Sequence, residues 1–243
     1  MNHGSALIAG LLAVVLPYGF FEAGAAGETA PFKSGGTIVG KVRVEGHFDR
    51  PPPLKVYKNR EFCGAQVPNE SLLITRDGGV QNVVITARGS RHEGMKNQAK
   101  ELVLDNRNCA FVPRVQAGLI GSEVLLLNGD PILHNVHARL GTETLFNVGL
   151  PKWRRVKKRL AREGIITIDC DVLHTWMRAY IVVTPSPHFA VTDKKGEFVI
   201  GNVPPATYEI EAWHETLGTR PFRVTVDAGS TARVDFSYRL SHK

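Results

Sequence analysis

The strongest constraint on this chain is how often its apolar runs are interrupted. The segments 37–44, 80–87, 124–127, 165–168, 179–183, 197–200, 208–213, 222–226 and 232–238 are short and rich in β-branched or aromatic residues. Each is bounded by turn residues, which predicts strands. No long stretch sustains a helical period; the weak exception is 154–160. Many short strands with Gly and Pro between them predict an all-β sandwich architecture. A length of 243 residues holds one large domain or two small ones. Lys194-Lys195-Gly196 predicts a hairpin turn between 190–192 and 198–200.

Chemistry is concentrated in Cys170-Asp171-Val172-Leu173-His174-Thr175-Trp176-Met177, where a thiol, an imidazole and a thioether fall within one short turn. A second imidazole is supplied upstream by Asn128-Gly129-Asp130-Pro131-Ile132-Leu133-His134-Asn135. Two His and one Cys in a plane with a weak axial Met form a blue-copper ligand set, which favours electron transfer. The candidate ligands are therefore His134, Cys170, His174 and Met177. His137 lies three residues beyond His134, on the opposite face of a strand, and stands as the alternative ligand.

The segment Ala6 to Leu16 is apolar, ends at Pro17, and precedes a small-residue site at Ala23-Gly24-Ala25. This predicts a signal peptide over 1–25, with an amino-terminal region lacking Lys and Arg, and a periplasmic or secreted protein. An uninterrupted apolar stretch of about 18 residues is missing, so no transmembrane anchor is expected after cleavage. In an oxidising compartment two of the three cysteines can pair. With Cys170 assigned to metal, the economical pairing is Cys63–Cys109; the other reading leaves three unpaired buried thiols.

From 102 to 183 the chain resembles the cupredoxin family. Phe111-Val112-Pro113, Gly118, Gly121 and 124–128 are similar to its first strands. Asn128, Asp130, His134 and Asn135 match its first ligand corner, and 170–177 its second. The resemblance implies a Greek-key copper domain with copper as cofactor. It also implies that Asn135 ties the two ligand loops together beside the Cys. Two departures stand out. Mononuclear relatives use Cys-x2-His-x2-Met, whereas Leu173 makes the first gap one residue longer here. The longer spacing matches half of a binuclear copper loop, but the second Cys such a loop needs is replaced by Ile166.

Residues 190–208 carry Thr192-Asp193, Gly196, Phe198, Ile200, Val203-Pro204 and Tyr208. They resemble the carboxypeptidase regulatory-like, transthyretin-type sandwich, with Ala206 where that pattern has Gly. The same family opens with a strand like 36–42. The expected organisation is a leader (1–25), an N-terminal β segment (33–98), a copper domain (99–184) and a regulatory-like sandwich (185–240). The first β segment is either separate or part of the last sandwich. Trp213-His214-Glu215 reads as core followed by polar turn, or as a second ligand site.

Net charge is +7, and seven basic residues fall within 152–162. The patch is either a solvated face or a docking surface for an acidic redox partner, with Arg154, Arg155, Lys157 and Lys158 at its centre. No nucleic-acid-binding pattern is present. The leading expectation is single-electron transfer through a mononuclear type 1 copper site, without catalysis. Multicopper oxidases would need His-x-His pairs, which the sequence lacks. The alternatives are a copper-binding or storage accessory protein and a non-redox extracellular ligand-binding module.

Overall fold

The computed structural model describes Met1, residues 34–89 and residues 99–239. The expected leader beyond Met1, and residues 90–98 at the expected end of the N-terminal β segment, lie outside the described residues. The first segment holds β1 (Gly36–Glu45), β2 (Leu54–Lys55), the one-turn α1 (Arg60–Cys63), β3 (Gln66–Val67) and β4 (Val84–Gly89). Next come β5 (Leu102–Arg107), β6 (Ala110–Val112), β7 (Val115–Leu119), β8 (Glu123–Asn128) and β9 (His134–Leu140). The middle segment continues with β10 (Glu143–Leu150), β11 (Arg155–Arg159), β12 (Gly164–Asp169) and β13 (Arg178–Thr184). The last strands are β14 (Phe189–Val191), β15 (Glu197–Val203), β16 (Ala206–His214), β17 (Gly218–Val226), β18 (Thr231–Arg233) and β19 (Phe236–Arg239). The architecture is all-β. No helix among the described residues is long and apolar enough to cross a membrane.

Strands from the two ends of the described chain share one sandwich. β1 pairs antiparallel with β15 and in parallel with β18 and β19, while β4 lies between β14 and β16, with β17 outside. Strict alternation in β16 and β19 turns Tyr208, Ile210, Ala212, Phe236 and Tyr238 inward. They meet Ile38, Val42, Val83 and Ile85 from β1 and the β4 region. Period-two patterning produces this result when one face is buried and the other wet. Gly40 permits the change of parallel partner along β1: a Cβ there would sit 1.8 Å from the Val234 carbonyl oxygen.

The turn at 194–196 forms, with Gly196 at φ +78° and its N–H donating to Asp193 O at 3.0 Å. It does not close a hairpin, however. β14 pairs with β4, whereas β15 pairs with β1 in the facing sheet. The local turn chemistry was legible, but the flanking strands find better partners far away in sequence.

β5 to β13 build the second sandwich. The sheet β10-β9-β12-β13-β7 faces the sheet β11-β8-β5-β6. Between them are buried Leu104, Phe111, Val124, Leu126, Val136, Ile166, Ile168 and Ile181. β13 is buried on both faces. Ala179, Ile181 and Val183 enter this core, whereas Tyr180 and Val182 join Val84, Val115, Phe189 and Trp213 in a seam toward the first sandwich. The weakly helical 154–160 proves to be edge strand β11, with Arg155, Lys157 and Arg159 exposed and Val156 turned toward the core. Charged side chains along an edge discourage pairing with another chain.

Candidate metal centre

The first ligand corner is organised by Asn128 at the end of β8. Its Nδ2 donates to Ile132 O and Leu150 O at 2.8 and 2.7 Å, and its Oδ1 accepts from the Asp130 N–H at 3.0 Å. These bonds hold the chain in a tight bend and deliver His134 to the start of β9. Asp130 then accepts three bonds: from Asn108 N–H (2.7 Å), Cys109 N–H (2.8 Å) and His134 Nε2 (2.8 Å).

The second corner runs from β12 to β13. Cys170 is a buried free thiol. Leu173, the inserted residue, takes a left-handed backbone (φ +66°) and stands 62% exposed. Turning the extra residue outward lets His174 fold back over Cys170. The turn closes with the Met177 N–H donating to His174 O at 2.9 Å.

The two corners bring three donors together. Cys170 Sγ lies 4.0 Å from His134 Nδ1 and 3.6 Å from His174 Nδ1, and the two Nδ1 atoms are 3.0 Å apart. One donor atom from each of the three residues falls within 4.8 Å of the others. His134 and His174 are 0% exposed, Cys170 4% and Met177 2%. Met177 is thus buried at the mouth of β13, directly after the loop that carries Cys170 and His174.

Each imidazole is tied at its far nitrogen. His134 Nε2 meets Asp130 Oδ2, and His174 Nε2 meets Asn59 Oδ1 at 2.9 Å. A carboxylate and an amide oxygen only accept, so each Nε2 carries the proton and each Nδ1 presents a lone pair. Two lone pairs 3.0 Å apart repel unless a cation lies between them or beside them. With an adjacent thiol and a buried thioether, this donor set fits copper.

Burial sets the electrostatics. It pushes the His174 pKa down to about 4, helped by the neighbouring His134 and by the Lys58 charge. It also lowers His134, against the opposing pull of Asp130. Burial raises the Cys170 thiol; the Asn135 and Val172 N–H groups oppose this, while the Asp171 and Asp169 carboxylates reinforce it. The imidazoles are therefore neutral and ready to ligate, and a metal must displace the thiol proton on binding.

Asn135 couples the two corners. Its N–H points at Cys170 Sγ (3.4 Å), its Oδ1 accepts from the Asp171 N–H (2.6 Å), and its Nδ2 donates to Asn147 Oδ1. Asn147 Nδ2 in turn donates to Asp171 Oδ2 at 2.9 Å. His137 stands apart from the donor cluster, pairing with Asp171 Oδ2 through Nδ1 and with Thr144 Oγ1 through Nε2, both at 2.8 Å. A second group of Cys109, Asp130 and His134 also converges, but Cys109 is joined to Cys63 in a disulfide.

The basic patch is partly neutralised. Lys157 pairs with Glu101 and Glu123, Arg154 donates to Gly149 O at 3.0 Å, and Lys158 lies over the Phe146 ring. Trp213-His214-Glu215 is occupied structurally. Glu215 receives both Nε and an Nη of Arg114 at 2.6 Å, and His214 Nδ1 accepts the Thr216 N–H at 3.1 Å. Sequence reasoning placed Asp130 in the first corner without its bracing role, and it missed Asn59. Asp130 was signalled by its place four residues before His134. Asn59 carries no signal, being 115 residues from its partner.

Residues 177–239 match the carboxypeptidase regulatory-like domain family. The match begins at Met177 and includes β13, a strand of the second sandwich. No curated protein matches the chain. Among solved structures, the chain is similar to a novel purple cupredoxin from Nitrosopumilus maritimus, at 21% identity over 35% of this chain and 99% of that one, with a TM-score of 0.31. It is similar to a reduced amicyanin variant at 19% identity, over 42% of this chain and 99% of that one, with a TM-score of 0.31. It is also similar to a copper-containing nitrite reductase from Thermus scotoductus SA-01 at 17% identity, over 40% of this chain and 25% of that one, with a TM-score of 0.33.

Proposed function

We propose that this chain is an exported mononuclear copper protein that passes single electrons through a type 1 site. The observation that carries the reading is the convergence of His134 Nδ1, His174 Nδ1 and Cys170 Sγ, with each Nε2 already engaged elsewhere. Copper held there would supply a one-electron couple whose two oxidation states tolerate the same mixed nitrogen and sulfur donors. The chain's own part is rigidity. Asp130 and Asn59 fix the imidazoles, Asn135 fixes the Cys170 loop, and the surrounding core keeps water away from the donors. Ligands held this firmly change little between oxidation states, which suits electron exchange.

Buried Met177 would add a weak thioether donor that tunes the potential. Copper held by all four donors would have no open coordination position, which argues against substrate chemistry. The disulfide agrees with an oxidising compartment. An acidic partner docking on the exposed Arg155 and its neighbours would add to the association rate and weaken with salt.

The test is a redox cycle on the copper-loaded protein. Ascorbate should bleach it and ferricyanide restore it, with one electron taken up per chain over repeated cycles. Loss of copper on the first reduction would favour metal cargo over electron transfer.

A further inference from the structure

The His174 edge of the centre is covered by a segment from outside its own sandwich. The long connection from β1 to β4 leaves the first sandwich, forms the two-residue ladder β2–β3 around α1, and returns. Val56 is buried in the core of the second sandwich, with Leu54, Cys63 and Val67 packed against it. Yet α1 itself buries no residue. Among the described residues, this excursion is held by a small apolar foot, one disulfide and one side-chain hydrogen bond.

Those attachments are linked through a single residue. Asn59 sits in the left-handed region (φ 53°) at the start of α1, and its carbonyl accepts from Cys63 N–H at 2.8 Å. Its side-chain oxygen meets His174 Nε2 at 2.9 Å. Cys63 is bonded to Cys109, whose N–H donates to Asp130, the residue that holds His134. Through this path, the disulfide secures the outer partners of both imidazoles.

We propose that residues 54–67 are a disulfide-held cap belonging to the metal centre, with Asn59 as the positioning residue for His174. Asn59 selects the tautomer that frees Nδ1 and closes the ring's outer edge to water, and Cys63–Cys109 keeps Asn59 in place. The proposal rests on the copper reading for its metal arm but not for its imidazole arm.

The experiment compares wild type with Asn59→Gly, Asn59→Asp and the paired Cys63→Ser/Cys109→Ser variant. Glycine tolerates the left-handed backbone, so N59G removes the acceptor without strain. In metal-free protein, nitrogen NMR of the imidazoles should find a slowly exchanging His174 Nε2–H in wild type and Asn59→Asp, and its loss in Asn59→Gly. In copper(I)-loaded protein, release to a bathocuproine chelator should accelerate roughly 10- to 100-fold in Asn59→Gly and in the cysteine pair, but stay near wild type in Asn59→Asp. Folded Asn59→Gly with an unchanged His174 proton and unchanged release would overturn the cap. Wild-type protein that takes up no copper would sink the copper reading, leaving the imidazole result to decide the cap. If the cysteine pair fails to fold, Asn59→Gly decides alone.

Discussion

The two histidine corners solve one problem with different materials. His134 is braced from within its own sandwich by a buried carboxylate four residues away, which also gathers two backbone N–H groups. His174 is braced from outside by a neutral amide 115 residues distant, on a segment with little buried surface of its own. The first arrangement is built into the fold of the second sandwich, which carries His134, Cys170 and His174. The second comes from the β1–β4 connection, which meets that sandwich through Val56, the Cys63–Cys109 disulfide and the Asn59–His174 bond. The difference separates supports that hold the structure together from supports that tune the site.

Removing the two supports should therefore have unequal costs. Asp130→Ala leaves His134 Nε2 and the Cys109 N–H without their partner in a buried setting, and the Asn108 N–H without its partner nearer the surface. It should lower unfolding stability by about 3–5 kcal/mol, read from urea denaturation. Asn59→Gly, at a half-buried position, should cost about 1 kcal/mol in the same assay. Equal losses would erase the distinction between an intrinsic and an added brace.

A third imidazole calibrates the pair. His214 is buried outside the centre, and its Nδ1 accepts the Thr216 and Leu217 N–H groups at 3.1 and 3.4 Å. Burial, with the Arg114 charge second, pushes its pKa down to about 4 from an ordinary value of 6.5. Above pH 6.5 the ring is neutral in both folded and unfolded chains, so its contribution is complete. Between pH 6.5 and about 4 the unfolded chain takes the proton first, so stability falls as pH falls. The loss is roughly 3 kcal/mol at most. His214→Gln should flatten that part of the profile by comparison with wild type in urea titrations at pH 7 and 4.5. An identical slope in both would mean that His214 is protonated as readily folded as unfolded.

A small effect is also expected at Met177. Exchange for Leu nearly conserves volume and should cost less than about 1.5 kcal/mol. Copper should stay bound and its potential rise, because the axial thioether bonds weakly. Loss of metal on the scale of His174→Ala would place Met177 among the strong ligands instead.

What the sequence disclosed divides along the same line. Cys170, His174 and Met177 share one turn, and Asp130 lies four residues before His134, so their chemistry is written in local spacing. The extra residue at Leu173 departs from the mononuclear spacing, and its left-handed, outward conformation accommodates it. The hairpin expected at 194–196 had the right turn but the wrong partners, because β1 and β4 claim β15 and β14 from opposite sheets. Charge spacing at 154–160 looked faintly helical; pairing with β8 makes it a strand. The union of the first and last described β segments in one sandwich is one of two readings, offered by the likeness of 36–42 to an opening strand of the regulatory-like family. Asn59 and the strand partners themselves depend on contacts across more than a hundred residues. No local pattern encodes such contacts.

The central claim is that Cys170 binds copper as a thiolate between two neutral imidazoles. The visible absorption of copper(II)-loaded wild type, set beside Cys170→Ser, tests it most directly. The account predicts an intense thiolate-to-copper charge-transfer band in the wild-type protein, abolished by the substitution. A colourless wild-type protein that holds zinc as tightly as copper would contradict it.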